Sequence, residues 1–138
     1  MKKLTVAVAL DDGQGMLFFG KRQSRDRVLI DDLLGSVDGA EVYISPFSKL
    51  LFEGKSGVNI TESPIEDAPS GAVCFIENIR LSPYIDLIDT LIIYRWNRLY
   101  PSDFKFDIDI KKMGFTLDTA EEFTGSSHEK ITKEIYRR

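Results

Sequence analysis

From Gln23 to Arg27 the chain reads Gln-Ser-Arg-Asp-Arg, a polar run that leads straight into an apolar segment. Two arginines around one carboxylate suit either of two tasks. They grip a phosphate or nucleotide, or they form an ion-paired entrance to the helix that follows. Asp26 in that position is favoured by the helix dipole whichever task applies. A second cluster, Arg95-Trp96-Asn97-Arg98, sets a tryptophan beside two arginines, which suits a planar or anionic ligand held by stacking and charge. The alternative there is a tryptophan that caps the core while the arginines stay in water. Other chemistries find no support. The single His128 excludes histidine-rich zinc hydrolase sites, and its neighbours Ser126, Ser127 and Glu129 place it at the surface. No Walker-type loop, zinc-protease helix or nucleophile elbow occurs. Cys74 lies in Ala-Val-Cys-Phe-Ile, where a buried, inert thiol is expected and no disulfide is available to it.

The chain that positions these residues has 138 of them, 43% apolar and 11% aromatic, which predicts one domain over 1–138 around one core. With a net charge of −4 and scattered lysines and arginines, it has no basic stripe for a phosphate backbone, so nucleic acid is a secondary candidate partner that only a local patch would serve. No apolar run approaches the roughly 20 residues that cross a bilayer, and no membrane partner is expected. Residues 4–10 are apolar, but Asp11-Asp12 ends the run and no small-residue cleavage site follows. They read as a buried strand rather than a signal segment, and the expected location is the cytoplasm.

Further along, Asp11-Asp12-Gly13-Gln14-Gly15 predicts a turn in which the glycines supply positive φ. Residues 28–34 predict a short helix with Leu29, Ile30, Leu33 and Leu34 inward and Gly35 as its stop. Asp31 and Asp32 fall on its solvent side. Residues 41–45, 58–61, 72–76 and 90–95 read as strands, 47–51 as helical or irregular, and 61–71 as an exposed loop. Ser82-Pro83 predicts an N-cap and first-turn proline for a short helix that ends before Asp89. Residues 104–110 alternate cleanly, as a half-exposed strand does. The tail supports two readings. Ser126 and Glu129 have capping-box spacing for a helix over 127–138, whereas Ile131, Lys133 and Ile135 would share one face of an exposed strand.

Four stretches in collinear order together sample most of the chain. Residues 6–15 form a strand and a glycine-containing loop, and Phe52-Glu53-Gly54-Lys55 leads into Val58-Asn59-Ile60-Thr61. Residues 72–95 run strand, turn, short helix, strand, and Tyr100-Pro101-Ser102-Asp103-Phe104 precedes the 122–138 tail. In this order the chain resembles a divergent dihydrofolate reductase. The resemblance implies an α/β three-layer sandwich, with a mixed, mainly parallel sheet flanked by short helices and the tail as its last strand. It also implies NADPH as cofactor and hydride transfer to a pterin C=N bond, which needs a face-on nicotinamide, a proton at the ring nitrogen and dry walls.

The sequence departs from that pattern where the chemistry sits. The family's Leu-Pro-Trp segment is replaced by polar residues 22–27, and its carboxylate position falls among Val28, Leu29 and Ile30, none of which ionises. Asp26 is the nearest substitute as proton donor or ligand-orienting group. Glu77-Asn78 replaces the glycine pair that lets backbone amides approach a pyrophosphate, and a carboxylate there repels phosphate. Ser48 and Asn78 remain as candidate cofactor contacts, but Pro46 replaces the basic residue expected near Ser48, and ordinary NADPH binding is expected to be lost. Lys55 matches an arginine that pairs with the folate tail, or it is a solvated turn lysine. Arg95 and Trp96 fall at the family's threonine-led turn. The expectation is a protein that binds a nucleotide- or pterin-like small molecule through Gln23, Arg25, Arg27, Lys55, Arg95 and Trp96. The alternative is a non-enzymatic interaction or RNA-associated module using Arg22, Arg25, Arg27, Arg95 and Arg98.

Overall fold

The computed structural model describes residues 2–138. The apolar, β-branched run at the start forms β1 (Leu4–Leu10), which lies inside the sheet between two parallel neighbours, where such a run can be covered on both faces. The elements that follow are β2 (Gly15–Phe18), β3 (Lys21–Arg22), α1 (Arg27–Ser36), β4 (Val42–Ile44), β5 (Val58–Ile60), α2 (Pro64–Asp67), β6 (Val73–Phe75), β7 (Ile88–Arg95), β8 (Phe104–Lys105), β9 (Thr116–Phe123) and β10 (Ile131–Arg137). Two 3-10 helices, Pro46–Phe52 and Ser82–Leu87, complete the chain.

Seven strands make one sheet in the order β5-β4-β6-β1-β7-β10-β9. The pairs within β5-β4-β6-β1-β7 are parallel, whereas β10 runs antiparallel to both β7 and β9. A small antiparallel sheet, β3-β2-β8, packs beside it. One face of the large sheet carries Leu29, Ile30 and Leu33 of α1 together with Phe52. The other face carries Ile65, Ala68, Leu81 and Met16, with Phe106, Ile108 and Phe115. The result is the expected mixed, mainly parallel α/β layering, and the C-terminal ends of β1, β6 and β7 open toward the start of α1.

Several local expectations are corrected. Residues 131–137 form a strand, because pairing with β7 on one side and β9 on the other outweighs the local helix signal. Gly35 does not stop α1, which runs to Ser36 and is capped at Val37. The 61–71 segment is not simply an exposed loop, since α2 lies within it and Pro64, Ile65 and Ala68 are buried. Only Phe104–Lys105 of the 104–110 stretch pairs as a strand; Phe106 and Ile108 are nonetheless buried, so the alternation reported burial rather than hydrogen bonding. Leu81, not Ser82, occupies the cap of the second 3-10 helix, and Ile88 already belongs to β7. In the 11–15 turn the positive φ falls on Gln14, at 64°, and not on a glycine. Gly15 is required for space instead, since a Cβ there would stand 2.6 Å from Gln23 Nε2 and 2.7 Å from Ser102 Oγ.

Candidate functional site

Asp26 begins the site because it begins the helix. Its backbone is extended, with φ −152° and ψ 120°, and Oδ1 accepts from Val28 N at 2.9 Å and Leu29 N at 3.3 Å, which makes it the N-cap of α1. The same carboxylate clamps the loop before β10. Ser126 N donates to Oδ1 at 2.9 Å, Ser127 N to Oδ2 at 2.7 Å, and both serine hydroxyls lie within 3.1 Å. Gly125 permits this approach, because a Cβ there would overlap Asp26 and stand 2.7 Å from Ile131 Cδ1. Burial by itself would raise the Asp26 pKa, but the hydrogen bonds from Ser126, Ser127 and Leu29 outweigh it and hold the carboxyl well below the usual carboxylate range.

His128, expected at the surface, is only 4% exposed. Its ring stacks on Trp96 at 4.5 Å between centroids and meets the edge of Tyr100 at 6.2 Å. The surrounding acceptors fix its tautomer. Ser127 Oγ lies 2.6 Å from Arg25 O and 3.0 Å from Asp26 Oδ2, so its one hydrogen is directed to these. His128 Nδ1, 2.8 Å from Ser127 Oγ, must then be the donor, and Nε2 accepts from Tyr100 OH at 2.7 Å. Burial lowers the His128 pKa; Asp26 opposes that shift and Arg98 adds to it. Above its lowered pKa the imidazole is neutral, and with the proton on Nδ1 it does not activate Ser127 as a nucleophile.

Gln23, Arg25, Asp26 and Trp96 converge on one small cavity of about 20 Å³, roughly the space of one water, floored by Ala9, Leu29, Ile30 and Phe75. It lies at the C-terminal ends of the central parallel strands, where the chain turns to either side of β1 and ligands commonly bind in open α/β sheets. Two wider hollows open beside it. One of about 360 Å³ takes Arg25, Arg27, Leu50 and Ser127, and one of about 420 Å³ takes Lys21, Arg22, Arg25 and Phe47. Arg25 lines all three and is exposed.

Other predicted residues lie elsewhere. Lys55 pairs with Asp31 at 2.9 Å on the outside of α1, beyond the cavity. Arg95 is held by Glu134 at 2.6 Å and Gln14 at 2.6 Å and does not line the cavity. Asp32, expected in solvent, is part-buried and binds Lys133 at 2.9 Å and Tyr94 OH at 2.7 Å. Cys74 is buried and its thiol is pushed up to about 12, as an inert core residue requires. Among the described residues no cluster of histidine, cysteine or carboxylates is arranged to hold a metal ion, and no helix is long and apolar enough to cross a membrane.

The residues do not fit a dinucleotide cofactor. Glu77 forms a bidentate pair with Arg22, both contacts at 2.7 Å, and takes the Ser48 hydroxyl at 2.7 Å. Arg22 is further held by Phe47 O at 3.1 Å. The amides of Leu81 and Ser82, at the start of the second 3-10 helix, are taken by Asp107 at 2.9 and 3.1 Å. Asn78 accepts from Ser45 Oγ at 3.2 Å. Arg22, Ser48 and the amides of Leu81 and Ser82 are thus engaged by the chain's own carboxylates.

The sequence reading missed three residues that organise the site. Glu77, expected to repel an anion, also holds Arg22 and the Ser48 hydroxyl. Asp11 was read only as a turn residue, yet it is 1% exposed and accepts from Gly13 N, Gly15 N, Tyr100 N and Gln23 Nε2. Two consecutive acids before a glycine turn were its one visible signal. His128 had no local signal of burial at all.

No family model matches the chain, and no curated protein matches it by sequence. Among solved structures, a dihydrofolate reductase from Enterococcus faecalis, complexed with NADP(H) and RAB-propyl, is similar with a TM-score of 0.70 at 12% identity. The match covers 99% of this chain and 96% of that one. The chain therefore has the dihydrofolate-reductase-like fold.

Proposed function

We propose that this protein binds a planar, anionic small molecule of nucleotide or pterin type at the cleft beside the start of α1, and that it does not use NADPH as a reductant. The observation that carries the reading is the convergence of Gln23, Arg25, Asp26 and Trp96 on one cavity, with Arg25, which makes no ion pair among the described residues, where the cavity meets its two wider openings. Arg25 supplies the charge for the ligand, the apolar floor excludes water, and the Arg22–Glu77 pair at the wall must part or shift to admit a ring. Asp26 anchors the wall in this reading and does not donate a proton, because its oxygens are engaged by backbone amides and it stays ionised. Support from the fold is coarser: the similar Enterococcus faecalis protein is a reductase with NADP(H) bound. An RNA-associated role is less well supported, since Arg22 and Arg95 are both neutralised by glutamates.

Calorimetric titration of the full chain with folate and with guanosine monophosphate tests the proposal. Saturable binding of at least one, weakened about tenfold or more in Arg25→Ala, is expected, consistent with loss of a charge-assisted hydrogen bond. Absence of binding by both at millimolar concentration overturns it.

A further inference from the structure

The β2–β3 hairpin combines features that packing does not explain. Its two-residue turn is Phe19-Gly20, with φ of 50° and 70°. The twist of a hairpin asks for positive φ at both positions, which glycine supplies freely and a bulky side chain resists. Phe19 is also 76% exposed, so burial does not compensate the strained backbone. Its ring lies 4.2 Å from that of Phe18. Phe18, Phe19, Tyr100 and Pro101 wall a groove of about 320 Å³, completed by Lys21, Arg22 and Gln23.

Two polar residues that line this groove each keep an unengaged group. Lys21 is exposed and makes no ion pair among the described residues, whereas Arg22 beside it is neutralised by Glu77. Gln23 Oε1 is the one buried side-chain acceptor among the described residues without a hydrogen-bond partner. Its amide orientation is fixed, because Nε2 faces two acceptors, Asp11 Oδ2 at 3.3 Å and Pro101 O at 3.2 Å, and a reversed amide would set oxygen against oxygen.

We propose that this groove binds a nucleoside monophosphate whose base carries an exocyclic amino group. The base stacks against the phenylalanines and Tyr100, the amino group donates to Gln23 Oε1, and the phosphate pairs with Lys21. The groove lies at the lower end of the size range of small-molecule sites, as a single base requires. A free nucleotide fits better than a strand, because Lys21 is the one cation lining this groove that makes no ion pair among the described residues, and the chain carries a net charge of −4. The inference goes beyond the cleft reading and does not rest on it.

Amide shift mapping by NMR on the full chain, titrated separately with adenosine monophosphate, inorganic phosphate and a short oligoadenylate, tests it. The monophosphate is expected to move the amides of Phe18, Phe19, Gly20, Lys21, Gln23 and Tyr100 saturably. Phe19→Gly is expected to weaken it at least tenfold without lowering the thermal midpoint, and Lys21→Ala to weaken the monophosphate more than adenosine. Shifts confined to Ala9, Leu29 and the Trp96 indole would place the ligand in the cleft and overturn this site alone. No shifts at millimolar ligand, equal effects of phosphate alone, unchanged affinity in Phe19→Gly, or tighter, steeply salt-dependent binding of the oligoadenylate each overturn it as well.

Discussion

Around the start of α1 the chain answers its own polar groups. Asp26 meets the amides of Val28, Leu29, Ser126 and Ser127, His128 sits between Ser127 and Tyr100, and Glu77 holds Arg22 and Ser48. A short distance away, the β2–β3 hairpin leaves Gln23 Oε1 without a donor, Lys21 without a counter-ion and Phe19 in water with a left-handed backbone. Both regions carry arginine, carboxylate and aromatic residues, so composition does not separate them. The separation lies in partners. The first region uses its buried charges to fix the geometry of the cleft wall, and at its exposed rim Arg25 and Arg27 make no ion pair among the described residues; the second keeps contacts that folding alone does not need.

The largest expected effect tests the first region. Asp26→Ala removes a helix cap and strands the part-buried amides of Ser126 and Ser127, and is expected to lower stability by roughly 2–4 kcal/mol in chemical denaturation. A loss near zero would mean that the clamp is incidental and the two regions do not differ as described. Gly125→Ala should follow, at about 1–3 kcal/mol, because its Cβ would intrude on Asp26 and Ile131 in a packed wall.

The pH dependence sharpens the same comparison. His128 has a lowered pKa in the folded chain, so its contribution is complete above the ordinary value of 6.5 and declines as pH falls below it, because the unfolded chain takes up the proton that the folded one resists. Asp26 acts lower on the scale. Its contribution is complete above the ordinary 3.8 and is lost as pH falls toward its depressed folded value. Denaturation curves should show both declines in the natural chain, and His128→Gln should lack the upper one. In the second region the sign reverses. Phe19→Gly is expected to raise stability, by roughly 0.5–1 kcal/mol, as relief of the left-handed strain exceeds the added freedom of the unfolded chain. A destabilised variant would show that Phe19 serves packing.

These contrasts also explain what was legible in the sequence. The runs that became β1 and β7 announced themselves, because a strand buried on both faces must be mainly apolar, as residues 6–10 and 91–94 are. Asp26 was visible as a helix-initiating carboxylate, and its cluster with Gln23, Arg25 and Trp96 reached one cavity. The tail was not decided locally: Ser126, whose spacing to Glu129 suggested a helix cap, instead binds Asp26 together with Ser127, 100 and 101 residues away in sequence. β9 escaped notice because it is exposed on nearly every residue and its pairing with β10, not any alternation, makes it a strand. The hairpin turn was hidden by the phenylalanine at a position where asparagine or glycine is usual. Arg22 and Glu77 lie 55 residues apart, so neither predicted the other.

The proposal that NADPH is not the reductant rests on the engagement of Arg22 by Glu77 and of the Leu81 and Ser82 amides by Asp107, and a nicotinamide-fluorescence titration of the full chain with NADPH tests it directly. The account predicts no saturable binding up to millimolar cofactor. Saturation in the micromolar range would contradict it.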